Sequence, residues 1–185
     1  MSSIIKVNTF QDANGNALFS SDGSGNVTLS SGGMKATPSF KAQLSSNQTI
    51  NHNTYTKINF DTEVYDTDNC YDNTTNYRFT PTTAGKYVVY GQMRVDTSNS
   101  VLDKSMIVVR KNGTSVEQLN YSVYYNNPIN TASPNGSVVM EMNGTTDYLE
   151  IFGFIERSDT SSGTIRGDIG TYLPTFFGAY KLIGA

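Results

Sequence analysis

Residues 71–95 read YDNTTNYRFTPTTAGKYVVYGQMRV. A polar stretch rich in Asn and Thr reaches Phe79, passes Pro81 and Gly85, and enters an alternating run at Tyr87. Pro81 has no N–H to give to a sheet ladder, and Gly85 admits backbone angles closed to residues with a Cβ. The pair therefore reads as a corner, where the chain leaves one strand and begins another. Beyond it, Tyr87, Val89, Gly91, Met93 and Val95 face one way, while Val88, Tyr90, Gln92 and Arg94 face the other. That is the period of a strand. The switch specifies a shape and no chemistry.

The same period recurs along the chain. Phe40, Ala42 and Leu44 share one face of the segment from Ser39 to Leu44. Ser105 to Lys111 is β-rich and stops at Asn112-Gly113, a dipeptide suited to a hairpin turn, with Ser115 to Tyr125 following. Gly136 to Met142 and Tyr148 to Phe154 flank Asn143-Gly144 and read as a second hairpin. Glu156 to Gly170 reads as a loop, and Thr175 to Ile183 as the last strand, with Phe176, Gly178, Tyr180 and Leu182 on one side. No window carries a sustained helical stripe with caps. About eight to ten short strands are expected, arranged as an all-β sandwich or barrel.

Residues 1–36 differ from this body, which takes residues 37–185 as the head. The short apolar patches Ile4 to Val7, Ala17 to Phe19 and Val27 to Leu29 are separated by Asn14-Gly15 and Asp22-Gly23, which favour tight turns. Patches this short do not make a stable sheet within one chain, so the segment reads as an extended β-arm that orders in an assembly. Its contacts are expected from Ile4, Ile5, Val7, Phe10, Leu18 and Phe19, with a hinge at Ser30 to Gly33.

Composition narrows the function classes. Apolar residues make up 37% of the chain and charged ones 16%, so the deficit is filled by Ser, Thr and Asn. Sheets with one wet face suit that balance. A net charge of -3 without a basic stripe argues against nucleic acid. The single Cys70 rules out an intrachain disulfide. No apolar run is long enough to cross a membrane, and MSSIIKV lacks the apolar segment of a signal peptide, so a soluble protein made in a cytoplasm is expected.

Candidate chemistry is sparse. The run DTEVYDTDNCYD gathers Asp61, Glu63, Asp66, Asp68 and Asp72, and oxygens of Asp66, Asp68 and Asp72 are the calcium candidates. Cys70 occupies a slot that a calcium loop gives to an oxygen ligand, and no Gly follows, so a solvated loop is the favoured reading. His52 is the only histidine, and no nucleophile elbow or phosphate loop accompanies it. Asp68 and Asp72 beside Cys70 oppose a reactive thiolate. No enzyme and no cofactor are expected. Arg166-Gly167-Asp168 spells an integrin-recognition tripeptide that chance accounts for. Tyr121, Tyr124, Tyr125 and Tyr172 suit either sugar stacking or a subunit interface, the second being favoured.

Four segments in order resemble the trimeric jelly roll shared by the complement globular head and tumour necrosis factor. Phe40-Lys41-Ala42 resembles its opening strand, and residues 71–95 its most recognisable block. VVRKNGTSV resembles the strand, turn and strand that follow, and TFFGAYKL resembles its closing strand, with Phe176 and Gly178 at the Phe-x-Gly. The resemblance implies a homotrimeric jelly-roll β-sandwich, with Pro81, Gly85 and Gly178 as structural turn and packing positions. The arm and the Asn/Thr-rich composition resemble bacteriophage fibre and decoration proteins. Together they imply a non-enzymatic virion structural protein, a capsid decoration or fibre made in the host cytoplasm and anchored to capsid or tail proteins. The alternatives are a receptor-binding fibre tip that recognises a host surface glycan, or a secreted adhesion or signalling ligand of the same fold.

Overall fold

The computed structural model describes residues 7–30, 37–167, 170 and 173–183. The arm holds β1 (Thr9–Gln11), β2 (Ala17–Ser21) and β3 (Val27–Leu29), paired antiparallel in that order. The head begins with β4 (Ser39–Gln43), β5 (Gln48–Ile50), β6 (Thr56–Lys57), β7 (Thr62–Asp66), β8 (Tyr71–Asp72) and β9 (Arg78–Phe79). After the corner come β10 (Gly85–Gln92), β11 (Val95–Asp96), β12 (Leu102–Lys111), β13 (Ser115–Val123) and β14 (Thr131–Ala132). The chain closes with β15 (Asn135–Met142), β16 (Leu149–Arg157), β17 (Gly163–Ile165) and β18 (Phe176–Lys181).

These strands form an all-β sandwich. One sheet has the order β15-β10-β18-β4-β7; the facing one runs β13-β12-β16-β9-β8, with β6 added beside β16. A smaller sheet has the order β14-β11-β17-β5, and its Ile50, Val95 and Ile165 join the same core. Residues alternate along β10 as the sequence requires, with Tyr87 and Val89 fully buried. Phe40 lies at the centre: it stacks on Tyr71 at 4.6 Å and Phe79 at 4.5 Å, and meets Phe177 edge-on at 4.8 Å. Since Phe40 and Phe177 come from one sheet and Tyr71 and Phe79 from the other, this aromatic cluster joins the two layers.

The corner does what residues 71–95 require of it. Phe79 pairs with Leu149 in one sheet, and Gly85 opens a strand of the other. Pro81 is buried between them, and Gly85 has φ 142°, a conformation that residues with a side chain rarely adopt. Tyr87 then donates its hydroxyl hydrogen bond back to the Thr83 carbonyl at 2.7 Å, tying strand to corner.

The structure corrects several expectations. β12 and β13 do form the Asn112-Gly113 hairpin, but β15 and β16 are not partners. β15 pairs with β10 from Gly85↔Met142 to Gln92↔Asn135, and β16 pairs with β12 from Leu102↔Arg157 to Lys111↔Leu149. The intervening loop folds on the Asn143 side chain, whose Oδ1 accepts the N–H groups of Thr145, Thr146 and Asp147 at 2.9, 3.0 and 3.0 Å. It therefore carries the chain to the other layer instead of reversing it in place. The expected loop from Glu156 contains the end of β16 and all of β17, whose Ile165 is fully buried. Two-residue pieces such as β6, β8, β9, β11 and β14 raise the strand number above the expected range.

The arm's three strands pair within one chain, contrary to expectation. Among the described residues its first strand centres on Phe10, with Val7 before it; Ile4 and Ile5 lie outside the described residues, as does most of the hinge. A ten-residue repeat accounts for the pairing: DANGNALFS at 12–20 matches DGSGNVTLS at 22–30. In each copy one Asp closes the turn. Asp12 Oδ1 accepts from the amides of Asn14 and Asn16, and Asp22 Oδ1 from those of Ser24 and Asn26. The second carboxylate oxygen takes the Asn16 or Asn26 side chain. Side chain-stapled turns make a meander of very short strands possible.

Candidate functional site

The outer face of the β15-β10-β18-β4-β7 sheet gathers an aromatic surface. Register places Tyr90 between Ser137 and Gly178, and Val88 between Val139 and Tyr180. Lys41 lies opposite both Gly178 and Tyr65, so these side chains share one face across all five strands. Val139 is 53% exposed, Tyr65 43% and Tyr180 40%, a large uncovered apolar content for one sheet face. On β18, Phe177 and Ala179 enter the core, while Phe176, Gly178 and Tyr180 point outward.

Tyr90 organises this face. Its ring lies 6.3 Å from that of Phe176 and 6.4 Å from that of Tyr180. It also lies over Gly178, where a Cβ would meet its Cζ and Oη at 2.4 Å. Gly178 is therefore small because an aromatic ring uses its space. Burial, and then the Tyr65 hydroxyl beside it, hold the Tyr90 phenol well above its ordinary range. Lys41 Nζ sits 5.0 Å from the Phe176 ring centre, so this cation is laid on a ring. A shallow depression of about 290 Å³ runs between Tyr90, Gln92, Gly136 and Phe176.

The arm offers a second apolar surface. Val7, Phe10 and Leu18 are each at least two-fifths exposed, and Phe19 is half-buried against Phe10 at 4.3 Å between ring centres.

The acidic segment is built differently from a metal site. Asp66 accepts from the Tyr71 amide at 2.7 Å, and Asp68 from the Thr67 hydroxyl at 2.5 Å. Asp72 accepts from the amides of Thr74, Thr75 and Asn76 at 3.0, 2.9 and 3.1 Å. Those amides, led by Thr75 and Thr74, hold the Asp72 carboxyl below the usual carboxylate range. Among the described residues, no three His, Cys, Asp or Glu side chains come together as a metal site. Asp66, Asp68 and Asp72 staple their own loops.

Other singled-out residues have structural partners. His52 Nδ1 accepts the Arg157 amide at 3.0 Å. Cys70 is buried, and burial first, then the charges of Asp66 and Asp68, push its thiol pKa up. Arg166 pairs with Asp96 at 3.6 Å; Asp168 of the tripeptide lies outside the described residues, as does Tyr172. Tyr124 packs against the core with its hydroxyl 3.3 Å from Ser105 Oγ, whereas Tyr121 is exposed on β13 and Tyr125 in the turn that follows it. Tyr65 and Val139 belong to no motif, and only strand pairing brings them beside Tyr90.

No family model matches this chain, and no curated protein matches it. Solved structures do. The globular domain of zebrafish complement 1qA protein matches with a TM-score of 0.51 at 13% identity, covering 78% of this chain and 97% of that one. Murine APRIL at pH 5.0 matches with a TM-score of 0.52 at 14% identity, covering 78% of this chain and 98% of that one. The head has the jelly-roll fold of the complement head and tumour necrosis factor proteins.

Proposed function

We propose that this chain is a non-enzymatic structural protein of a bacteriophage particle, a homotrimer whose arms attach it and whose heads project outward. The observation that carries the reading is the aromatic outer face of the β15-β10-β18-β4-β7 sheet. Val88, Tyr90, Val139, Phe176 and Tyr180 leave a continuous apolar surface in water, and such surfaces mark association. Three copies packed around these faces remove it. The resemblance of the head to trimeric jelly rolls supports three copies over two. Composition and the repeat-bearing arm support the particle setting.

The arms extend the same reasoning. Each meander is nearly all exposed and holds little apolar surface of its own. Three arms fixed to one head bind a symmetric site with the gain of linked contacts. A capsid decoration is the placement proposed. Light scattering on the purified chain should return a three-chain mass. Labelled antibody against the head should mark the capsid of negatively stained particles. A monomer at micromolar concentration overturns the trimer, and label on the tail moves the protein to a fibre.

A further inference from the structure

The sheet on the opposite side of the sandwich carries a second cluster, which neither the trimer face nor the arm uses. Register sets Met106 opposite Phe154, Val108 opposite Phe152 and Arg110 opposite Glu150. Tyr55, just before β6, holds its ring 5.1 Å from that of Phe154, and its hydroxyl donates to Met106 Sδ at 3.5 Å. The Arg110 guanidinium lies 4.2 Å from the Phe152 ring centre and 5.1 Å from that of Tyr55. Val108 is only 1% exposed yet stands apart from the main core cluster, so this face has an apolar floor of its own.

Charge on this face is unevenly settled. Lys57 holds Glu150 at 2.5 Å, and Lys104 holds Glu156 at 2.6 Å, so both carboxylates are occupied. Arg110 stands across the strands from Glu150 but forms no ion pair among the described residues. Its Nε is buried without a hydrogen-bond partner there. Stacking on rings occupies the faces of the guanidinium and leaves its edge, with the terminal N–H groups, for a planar anion. A carboxylate matches that fork with two parallel bonds. The half-exposed rings beside it suit the apolar face of a sugar.

We infer that this face binds an acidic saccharide, a uronate carboxylate seated on Arg110 and the sugar ring laid on Tyr55 and Phe154. An acidic peptide fits less well. Extended peptides gain affinity by joining a free strand edge, whereas β12 is paired on both sides by β13 and β16, and β16 by β12 and β6. The inference deepens the proposed role by naming what an outward-facing head touches, and it rests on that reading only in leaving this sheet exposed.

The test titrates the full chain by calorimetry with a short oligogalacturonate, a neutral galactose oligomer and a polyglutamate peptide. The uronate should bind saturably, with the neutral oligomer at least about tenfold weaker. Arg110→Gln should weaken uronate binding about tenfold or more at unchanged melting temperature. Arg110→Lys, which keeps the charge without the fork, should restore only part. Tyr55→Ala should weaken binding several-fold. Absence of uronate binding, equal binding of the neutral oligomer, or binding unaffected by Arg110→Gln each overturns the inference. So does polyglutamate binding in place of uronate. If the glutamine variant misfolds, the lysine and Tyr55 variants decide. Light scattering on the same samples reports the trimer separately, so either idea can fail alone.

Discussion

Phe40 shows how much one side chain carries in a thin sandwich. It contacts aromatic rings from both layers, and aromatic pairs of this geometry add about 0.5–1.5 kcal/mol each beyond burial. Phe40→Ala should cost about 3–5 kcal/mol, read from denaturant unfolding, because the rigid sheets cannot close on the cavity. Gly85 is sensitive for a different reason. Its φ of 142° is poorly open to a β-branched residue, so Gly85→Val should lower stability by about 1 kcal/mol or more. An unchanged melting temperature in that variant would show that the corner tolerates another backbone path. Both positions were legible in sequence, Phe40 from alternation and Gly85 from its place after Pro81. The partners of Phe40 were not, because they lie some 30 to 140 residues away along the chain.

Among the elements, the loop closed by Asp72 gives a pH signature. The carboxylate accepts three amides in the folded chain, so its folded pKa lies below the unfolded aspartate value of about 4. A depressed pKa contributes stability that is full above the unfolded value and is lost as pH falls through the folded one. Asp72→Ala should therefore lower stability at neutral pH by roughly 1–2 kcal/mol, the cost of losing charge-assisted hydrogen bonds at a partly wet site. The gap from the parent protein should narrow as the pH drops below about 4. A gap that stays constant with pH assigns the effect to packing. The acidic run was visible in sequence as charge, but its use was not. Oxygens aimed at a cation and oxygens aimed at backbone amides come from the same residue types, and only loop geometry separates them.

For the whole molecule, the two apolar surfaces predict separable failures. Val139→Glu places a carboxylate in the proposed trimer face, where its desolvation is uncompensated, and should shift the mass from three chains to one while the head stays folded. Retention of the trimer would place the interface elsewhere. Deleting residues 1–36 should leave a folded head that no longer joins particles lacking the native protein, since the core cluster draws only on residues from Phe40 onward. Rebinding as strong as that of the intact chain would move attachment into the head.

Alternation, the corner at Pro81 and Gly85, and the Asn112-Gly113 turn by themselves determined the all-β head, the division of β10 into two faces and the β12–β13 hairpin. These are local properties: the period of a strand and the torsions of a turn depend on neighbours in sequence. The ten-residue repeat of the arm is equally local and stands in the sequence as DANGNALFS followed by DGSGNVTLS. Tertiary structure alone decided that β15 and β16 part into opposite layers, and which side of β18 enters the core. It also decided that Tyr65, Tyr90 and Val139 meet on one face while Tyr55, Arg110 and Phe152 meet on the other. Each of these depends on which strands lie side by side. A strand's own pattern says that it has two faces; only its neighbours say which of them water keeps.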